Sequence, residues 1–298
     1  MQNPLVTIAI PAYKSTFLRQ TIESALAQTY SNIEVVIVDD DSPYHIPEIV
    51  KSFDDPRIRY YKNEKNLGGN NPAHNWNQCL NYARGEYFSL LCDDDLYEPT
   101  FIEEMLHLSQ QYPHTNVFRS RADIIDKDNN TTDWYPSAPE WEDVDDYIWH
   151  VNRRCRKQTI SEFMYKTEHI RSVEGYFLLP LAWYADYASV YRFALQGGIA
   201  SSAKILMHFR QSGQNISSKD DKNIMEKLFA IKQYVVWLTQ FVKENQLHKS
   251  LTHIGDLRHS VMIEQEWILG KASKLTILKA FLHKKSLMIH SCSIKKAL

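Results

Sequence analysis

Three consecutive carboxylates, Asp93, Asp94 and Asp95, come directly after the apolar run EYFSLLC of residues 86–92. A second acidic run, residues 39–41, follows the apolar run IEVVIV in the same way. Crowded carboxylates with no nearby base suit a hard divalent cation, Mg²⁺ or Mn²⁺, which completes its shell with water and phosphate oxygens. Such a cation neutralises a diphosphate and stabilises it as a leaving group. A solvated acidic turn explains one run alone, but two runs at neighbouring strand ends favour a site.

The elements that must position these acids alternate along the first hundred residues. Short apolar runs predict strands at 5–10, 33–38, 57–63 and 86–92. Helical spacing predicts helices at 15–30, 71–85 and 99–112, with a weaker one near 46–53. Ser15 is the expected N-cap of the first helix. The alternation predicts an α/β fold, Rossmann-like, with a mostly parallel sheet flanked by helices, and open sheets of this kind bind ligands at the carboxyl ends of their strands.

The second half of the chain has a different pattern. Residues 127–160 are polar, acidic and contain tryptophan, which predicts a long loop, and the chain is helical from about 222 to 290. We therefore expect a catalytic α/β domain at 1–215 and a helical C-terminal region at 216–298.

Composition excludes several classes of protein. The 298 residues carry a formal net charge of −2, so no basic field indicates a nucleic-acid partner. The four cysteines, Cys79, Cys92, Cys155 and Cys292, form no C-x-x-C pair, which favours reduced thiols in the cytoplasm over a zinc or redox site. The first residues lack the basic and apolar regions of a signal peptide, and no run approaches the ~18 apolar residues of a membrane span.

The order of motifs resembles that of the family 2 glycosyltransferases, which have the GT-A fold. The resemblance covers about residues 4–215. It depends on VTIAIPAYK, ESALAQTYSNIEVVIVDDDS, DPRIRYYKNEKNLGGNNPAHNWNQCLNYARGEYFSLLCDDDLYEP and a later AWYADYASVYRF. It implies inverting transfer of a sugar from a nucleotide donor, with UDP expected, to a saccharide or lipid-linked acceptor in bacterial polysaccharide synthesis.

The resemblance also implies roles for residues at the donor end. Pro11, Ala12 and Tyr13 would contact the base and ribose, and Asp40 would accept a hydrogen bond from the uracil ring. Asp93 would support the nucleotide, and Asp94 and Asp95 would serve the metal. Two positions depart from the family pattern: Cys92 replaces the first acid of the D-x-D motif, and Asp41 replaces a usual glycine. The segment 66–75 would lie near the diphosphate, but it is rich in asparagine and has no arginine.

Three further roles follow from the resemblance in the second half of the chain. Asp186 would be the catalytic base that deprotonates the acceptor hydroxyl, and aromatic neighbours would raise its pKa. A helix N-cap is the alternative role for Asp186, and it is compatible with the first. His208 and Arg210 would contact the diphosphate, although a lone histidine is more often structural.

Two other functions remain open at this point. The run VVIVDDDS matches the nucleophile strand of haloacid dehalogenase phosphatases, with Asp39 as nucleophile and Asp41 as acid, but the later lysine strand and acidic run of those enzymes are missing. A non-catalytic module that binds nucleotide sugars is the other alternative, and the presence of Asp186 argues against it.

The C-terminal end predicts a contact with the membrane. From Lys271 onwards the chain has many lysines and no acid, and Leu275, Leu278, Leu282 and Ile289 share one helical stripe. A basic amphipathic helix of this kind can lie on the inner face of the cell membrane, or it can pack its stripe on the catalytic domain.

Overall fold

The computed structural model describes residues 3–69, 71–213, 223–283 and 287. The strands are β1 (Val6–Ala12), β2 (Ile33–Asp39), β3 (Ile58–Lys62), β4 (Tyr87–Leu90), β5 (Leu96–Tyr97), β6 (Val117–Ile125), β7 (Thr131–Trp134), β8 (Trp141–Glu142), β9 (Phe163–Lys166) and β10 (Ile199–Arg210). The helices are α1 (Leu18–Leu26), α2 (Ile46–Lys51), α3 (Ala73–Tyr82), α4 (Phe101–Gln111), α5 (Val144–Asn152), α6 (Thr167–Ser172), α7 (Ala185–Ala194), α8 (Ile224–Glu244), α9 (His248–Thr252), α10 (Ile254–Leu269) and α11 (Lys274–Leu282). Two 3₁₀ turns lie at Ile160–Glu162 and Pro180–Ala182.

One mixed sheet carries the fold, in the order β3-β2-β1-β4-β9-β6-β10-β5. The first four strands are parallel to each other, and β6 is parallel to β10. Strand β9 lies antiparallel between β4 and β6, and it joins the two parallel groups into one sheet. The predicted α/β class with a mostly parallel sheet is confirmed. The carboxyl ends of β1, β2 and β4 meet at one edge, which brings the two acidic runs together.

Both faces of the sheet are covered, which explains the continuous apolar runs of its central strands. All seven residues of β2 are buried. Alternate side chains go to opposite faces, so that Val36 and Val38 belong to one apolar core with α3, while Val35 and Ile37 belong to another with α1 and α4.

Helix α1 begins later than predicted. Ser15 is not its N-cap, because the helix starts at Leu18 after Phe17, and no side chain caps it. The preceding turn is held in a non-helical form by Asp93, whose Oδ2 accepts hydrogen bonds from the backbone N–H groups of Tyr13 and Lys14.

The prediction of a long loop at 127–160 is wrong in part. It missed β7, β8 and above all α5, whose residues Val144, Tyr147, Ile148 and Val151 are buried at helical spacing. The acidic residues that led to the prediction of a loop lie at the N-terminus of α5, where acidic side chains stabilise a helix. Asp143 is the N-cap and accepts a hydrogen bond from the backbone N–H of Asp146 at 2.8 Å.

The predicted helical C-terminal region is present as α8 to α11 in the residues described here. It packs against the sheet domain through aromatic contacts, including Tyr184 on Tyr234 at 4.4 Å and Phe177 on Trp237 at 4.8 Å between ring centroids. The boundary at residue 215 stays a prediction, because these helices share one apolar core with the sheet domain.

Helix α11 buries Ile277 and Ala280. The predicted stripe is on its exposed side, where Leu275, Leu278 and Leu282 are 63%, 54% and 72% exposed. The fourth stripe residue, Ile289, lies outside the described residues. Of the helices in the described ranges, none combines the length and the apolar character needed to cross a membrane.

Candidate active site

A cavity of about 1060 Å³ opens at the carboxyl edge of β1, β2 and β4. Its wall includes Pro11, Tyr13, Asp40 and the acidic triplet at one end, and Asp186 at the other end. The ends of strands β1, β2 and β4 carry the first set of residues, and α7 carries Asp186. The structure therefore brings together most of the residues that the sequence analysis singled out.

In the acidic triplet, Asp93 and Asp94 converge on one ammonium group. Lys14 Nζ contacts Asp94 Oδ2 and lies 3.2 Å from Asp93 Oδ1. The side chains of both acids are only 5% exposed, and that of Lys14 is 26% exposed. Burial alone would lower the pKa of Lys14, but the two carboxylates outweigh it and hold that pKa above its usual range.

Asp95 is turned away from this cation. Its Oδ2 accepts a hydrogen bond from Ser161 Oγ at 2.7 Å, and its Oδ1 accepts one from the backbone N–H of Arg210 at 3.0 Å. Burial, reinforced by the negative charge of Asp94, raises the pKa of Asp95 well above its usual range. The geometry thus assigns the cation-facing positions to Asp93 and Asp94, whereas the sequence analysis had chosen Asp94 and Asp95.

The residues present fit a divalent cation that shares its coordination with a substrate. Within the described residues, no group of three or more His, Cys, Asp or Glu side chains is arranged to hold a metal ion. Burial, with the neighbouring carboxylates Asp95 and Asp94, raises the pKa of the Cys92 thiol well above its usual value, and sulfur is a soft ligand that suits Mg²⁺ less well than carboxylate oxygen. The Lys14 ammonium nevertheless occupies a cation position between two carboxylates, and Mg²⁺ needs only one or two carboxylates when phosphate oxygens complete its shell.

The end of the cavity beside β1 and β2 is organised by Asp40. Its Oδ1 accepts a hydrogen bond from the backbone N–H of Leu67 at 2.8 Å, and its Oδ2 accepts one from that of Gly68 at 2.7 Å. A Cβ at Gly68 would lie 2.7 Å from the same Oδ2, so this approach requires glycine. Asp40 therefore ties the segment 66–69 to the strand end, in addition to its predicted role toward a base.

Aromatic rings stand beside Asp40. Tyr13 and Tyr44 are both exposed, line the cavity and meet edge to face with 6.2 Å between their centroids. Pro11 also lines the wall, whereas Ala12 is fully buried and contributes its carbonyl oxygen, which accepts a hydrogen bond from the Asp40 backbone N–H.

The substitution of glycine by Asp41 leaves the turn in the backbone conformation that glycine favours. Asp41 has φ 49°, in the left-handed region. Aspartate enters this region more readily than most other residues. Its side chain lies at the surface, where it forms an ion pair with Lys62 at 3.0 Å.

Asp186 is in the first turn of α7 and lines the far end of the cavity. Loss of contact with water raises the pKa of Asp186 to about 6, against the opposing effect of hydrogen bonds from the Tyr187 backbone N–H and from Gln158 Nε2. The Gln158 bond is long, at 3.3 Å. The alternative role as N-cap is not borne out, because Tyr184 occupies that position.

The backbone just before Asp186 is strained. Leu181, Ala182 and Tyr184 have φ of 58°, 51° and 65°, and none of them is glycine. Each such residue costs on the order of 1 kcal/mol and persists only where the surroundings enforce it. Here Leu181 and Ala182 are buried, and Tyr184 stacks on Tyr234 of α8. The C-terminal helices thus help to hold α7 where it presents Asp186.

One short segment, residues 157–162, connects the two ends of the cavity. Gln158 contacts Asp186, while Ser161 contacts Asp95 and also accepts a hydrogen bond from the Cys92 backbone N–H. Thr159 and Glu162 form a capping box, which fixes the 3₁₀ turn.

A buried ion pair anchors the segment 157–162 to the sheet. Arg119 on β6 pairs with Glu162, and its guanidinium also donates to the Lys157 carbonyl oxygen. The Glu162 side chain is fully buried, and that of Arg119 is 3% exposed. Removing one partner of such a pair typically costs about 3–5 kcal/mol, because the other charge stays buried alone.

The wall around Asp186 combines aromatic and basic side chains. Tyr135, Trp183, Tyr184 and Tyr187 line it, together with Arg154, Arg156 and Lys157 from the start of the connecting segment. Arg156 pairs with Glu142 at 3.2 Å. Arg154 is exposed, and no carboxylate among the described residues lies within ion-pair distance of it. Helix α10 completes the wall with Ser260 and Glu264.

The structure does not bring His208 and Arg210 to the cavity. His208 lies between two carboxylates, with Nδ1 2.6 Å from Asp123 and Nε2 2.9 Å from Glu98. Arg210 is fully buried behind the triplet, where its Nε donates to the Asp94 carbonyl oxygen and its Nη1 to Asn129. Arg210 thus holds the acidic loop from behind, and the predicted diphosphate contacts have no geometric support.

Asp39 and Asp41, the two acids that the phosphatase alternative needs, have other partners in the structure. Asp39 is fully buried, and its oxygens accept hydrogen bonds from the Ser42 backbone N–H and from the Tyr60 hydroxyl. The proposed acid Asp41 pairs with Lys62 at the surface. Neither residue lines the cavity.

Sequence reasoning missed Lys14, Tyr44, Gln158 and Ser161. Lys14 had a detectable signal, since it directly follows the PAY turn at the carboxyl end of β1, opposite the acids of the neighbouring strand. Basic groups near the diphosphate were expected instead in the segment 66–75 and at His208 and Arg210. Gln158 and Ser161 had no such signal, because they lie in a stretch that was read as loop and their partners are 28 and 66 residues away.

Comparisons with known proteins agree with this fold. The family model described as Glycosyl transferase family 2 matches residues 7–171, which is more than half of the chain. The UDP-Glc:alpha-D-GlcNAc-diphosphoundecaprenol beta-1,3-glucosyltransferase WfaP of Escherichia coli is 37% identical over 139 residues, which cover 46% of this chain and 53% of that protein. In the first matching relatives, glycosyltransferases of Rickettsia species, the shared region spans no more than 35% of their length.

Two solved structures share the fold across nearly the whole chain. TarS of Staphylococcus aureus, residues 1–349 in complex with UDP-GlcNAc, superposes with a TM-score of 0.66 at 12% identity, over 98% of this chain and 89% of that one. The mannosyltransferase PcManGT of Pyrobaculum calidifontis, in complex with GDP-Man and Mn²⁺, superposes with a TM-score of 0.57 at 14% identity, over 99% and 86%. At these identities the likeness shows the GT-A fold alone.

Proposed function

The chain belongs to glycosyl transferase family 2, and from that premise we propose that it is an inverting, metal-dependent hexosyltransferase of bacterial polysaccharide synthesis. The donor is a UDP-sugar, and the acceptor is a hydroxyl of a saccharide or of a lipid-linked sugar. The observation that carries the proposal is the cavity lined by Asp40, by the cation-binding pair Asp93 and Asp94, and by Asp186.

The donor nucleotide lies at the end of the cavity formed by β1 and β2. Tyr13 and Tyr44 offer ring faces and edges to the base, and Asp40 lies at the same end. Asp94 and Asp93 would hold Mg²⁺ or Mn²⁺, which would neutralise the diphosphate as a leaving group. Asp95 and Arg210 keep the acidic loop in position. TarS in complex with UDP-GlcNAc and PcManGT in complex with GDP-Man and Mn²⁺ share this fold, which is consistent with a nucleotide-sugar donor and a divalent cation.

Asp186 is the general base. Its carboxylate accepts the proton of the acceptor hydroxyl as that oxygen forms a bond to the anomeric carbon. The bond from this carbon to the diphosphate oxygen breaks, and its electron pair leaves with the diphosphate. One displacement from the opposite face inverts the configuration. A pKa of about 6 leaves Asp186 ionised at neutral pH and more basic than an ordinary aspartate.

The wall around Asp186 supports an acceptor that carries both a sugar ring and an anionic group. Aromatic faces such as those of Trp183 and Tyr187 suit sugar stacking. Arg154, Arg156 and Lys157 suit a phosphate or diphosphate. WfaP, whose name gives a GlcNAc-diphosphoundecaprenol acceptor, is consistent with this class.

A lipid-linked acceptor assigns the reaction to the cytoplasmic face of the membrane. Trp267 of α10 is exposed and stacks near Trp183 of the cavity wall, with 6.4 Å between ring centroids. Leu275, Leu278 and Leu282 of α11 are exposed as well. Exposed apolar side chains on α10 and α11 support a peripheral contact of the C-terminal helices with the membrane.

A panel of UDP- and GDP-sugars, with Mg²⁺, with Mn²⁺ or with a chelator, tests the proposal. We expect a UDP-sugar to be bound and slowly hydrolysed or transferred only with metal. Release of inorganic phosphate from simple phosphate esters would instead support the phosphatase. Binding of a nucleotide sugar without turnover on any synthetic lipid-diphosphate saccharide would support the non-catalytic module.

A further inference from the structure

The cation that contacts the acidic pair in the structure is part of the protein itself. Lys14 Nζ contacts Asp94 Oδ2 and is 3.2 Å from Asp93 Oδ1. Two nearly buried carboxylates without a cation would be costly, so the ammonium stabilises the pair. It also occupies the position that we assign to the divalent ion.

The attachment of Lys14 is tight at its backbone and loose at its side chain. The backbone N–H groups of Tyr13 and Lys14 donate to Asp93 Oδ2 at 2.8 and 2.6 Å, which fixes the turn against the acidic loop. The side chain beyond the Cα is a flexible four-carbon stem that lines the cavity. The ammonium can therefore leave the carboxylates without any movement of the backbone.

We propose that Lys14 and the divalent cation compete for Asp93 and Asp94, so that metal binds weakly to the free chain and tightly only together with a nucleoside diphosphate. The diphosphate changes the competition in two ways. It supplies further oxygen ligands to the metal, and it offers the displaced ammonium another anionic partner within the same cavity. This inference rests on the proposed function, because it needs a diphosphate donor.

Competition of this kind couples the two ligands. If UDP raises the affinity for metal by some factor, metal must raise the affinity for UDP by the same factor. Lys14 is then a residue that sets this factor, by making metal binding unfavourable when UDP is absent. It also prevents the acidic pair from retaining a metal ion after the product has left.

Titration of the full chain with Mn²⁺, followed by the electron paramagnetic resonance signal of the free ion, tests the proposal without any measurement of activity. In the absence of nucleotide we expect Lys14→Met to bind Mn²⁺ at least ~5-fold more tightly than the wild type, within the usual range of coupling between sites. Lys14→Arg keeps a cation at the site and should bind Mn²⁺ as weakly as the wild type. Saturating UDP should tighten Mn²⁺ binding strongly in the wild type and less in Lys14→Met.

Lys14→Gln guards against a folding defect, since it keeps a hydrogen-bond donor toward Asp94 but removes the charge. Whichever neutral variant retains the wild-type circular dichroism must show the gain in Mn²⁺ affinity. An affinity equal to or weaker than that of the wild type overturns the competition, while metal-dependent UDP binding by the wild type would still uphold the proposed function. Failure of every variant to bind UDP with metal would reject both.

Discussion

Two carboxylates at opposite ends of one cavity have different partners. Asp94 contacts the ammonium of Lys14, whereas Asp186 accepts a long hydrogen bond from the neutral amide of Gln158. Burial raises the pKa of both groups, but only Asp94 has a positive charge beside it to oppose that rise. Burial acts on both carboxylates, so it does not distinguish them. The charged or neutral group beside each one does: an ammonium suits a carboxylate to binding cations, and an amide leaves it suited to accepting a proton.

The largest expected effect is at the base. Asp186→Asn should lower the rate of sugar transfer by about 10²–10⁴-fold, because the amide accepts no proton, and should leave UDP binding nearly unchanged. Glu264→Gln is the matched control, since Glu264 is another carboxylate of the same wall whose pKa burial raises. Steady-state transfer assays and calorimetry with UDP measure the two properties. If Asp186→Asn transfers sugar at close to the wild-type rate, Asp186 is not the general base.

The cation end should respond in the opposite way. Asp94→Asn should abolish the increase in UDP affinity that Mg²⁺ or Mn²⁺ causes, an effect of about 10–100-fold. Asp95→Asn should keep that increase, since Asp95 points to Ser161 and Arg210, and should instead lower the thermal stability. Calorimetry with and without a chelator decides the matter. If metal no longer raises the UDP affinity of Asp95→Asn but still raises that of Asp94→Asn, then Asp95 rather than Asp94 is the metal ligand.

The acceptor end should differ from the donor end in its affinity for lipid. Replacing Leu278 and Leu282 of α11 together by serine should weaken binding to anionic vesicles about tenfold, because part of each side chain no longer leaves water. Val236→Ser on α8 removes another exposed apolar side chain and is the control. Sedimentation at low and high salt measures the binding. Equal pelleting of the double variant and the wild type would exclude α11 as the contact.

The smallest effect concerns the pH dependence of kcat/KM. Activity should rise through a pH of about 6 as Asp186 loses its proton, and stay high above it. Gln158→Met removes a hydrogen bond that favours the ionised form, so the midpoint should move upward by up to ~1 pH unit. Tyr147→Phe is the control, because the Tyr147 hydroxyl contacts Gln158 but not Asp186. A midpoint that moves downward would contradict the role of Gln158.

The sequence was most informative where local pattern and fold agree. The strands β1, β2 and β4 were predicted because both faces of the sheet are covered and each strand is a continuous apolar run. Helix α5 was missed because its acids were read as loop residues, although Asp143 is an N-cap. The strand β9 was missed as well, because a four-residue strand between two parallel groups has no period long enough to detect.

The candidate site was predictable in its residue types but not in the directions of its side chains. The acidic triplet was selected from its place after an apolar strand, and Asp186 was selected from the resemblance to family 2 glycosyltransferases. Neither kind of signal was enough to show that Asp95 turns inward or that His208 lies between Asp123 and Glu98. These directions depend on contacts between residues 66 to 115 positions apart. Such pairings are set by the packing of the sheet, which a single sequence does not reveal.

The segment 157–162 limits which parts of this site can be exchanged for the corresponding parts of related proteins. It contacts the acidic loop through Ser161 and the base through Gln158, and Arg119 fixes it to the sheet. Consider a chimera in which residues 180–191, which line the proposed acceptor end, come from one relative and residues 157–162 come from another. We expect this mismatch to alter the spacing between the leaving group and the proposed base. We therefore expect acceptor specificity to be transferred between relatives most readily when residues 157–162 are exchanged together with α7, the helix that carries Asp186.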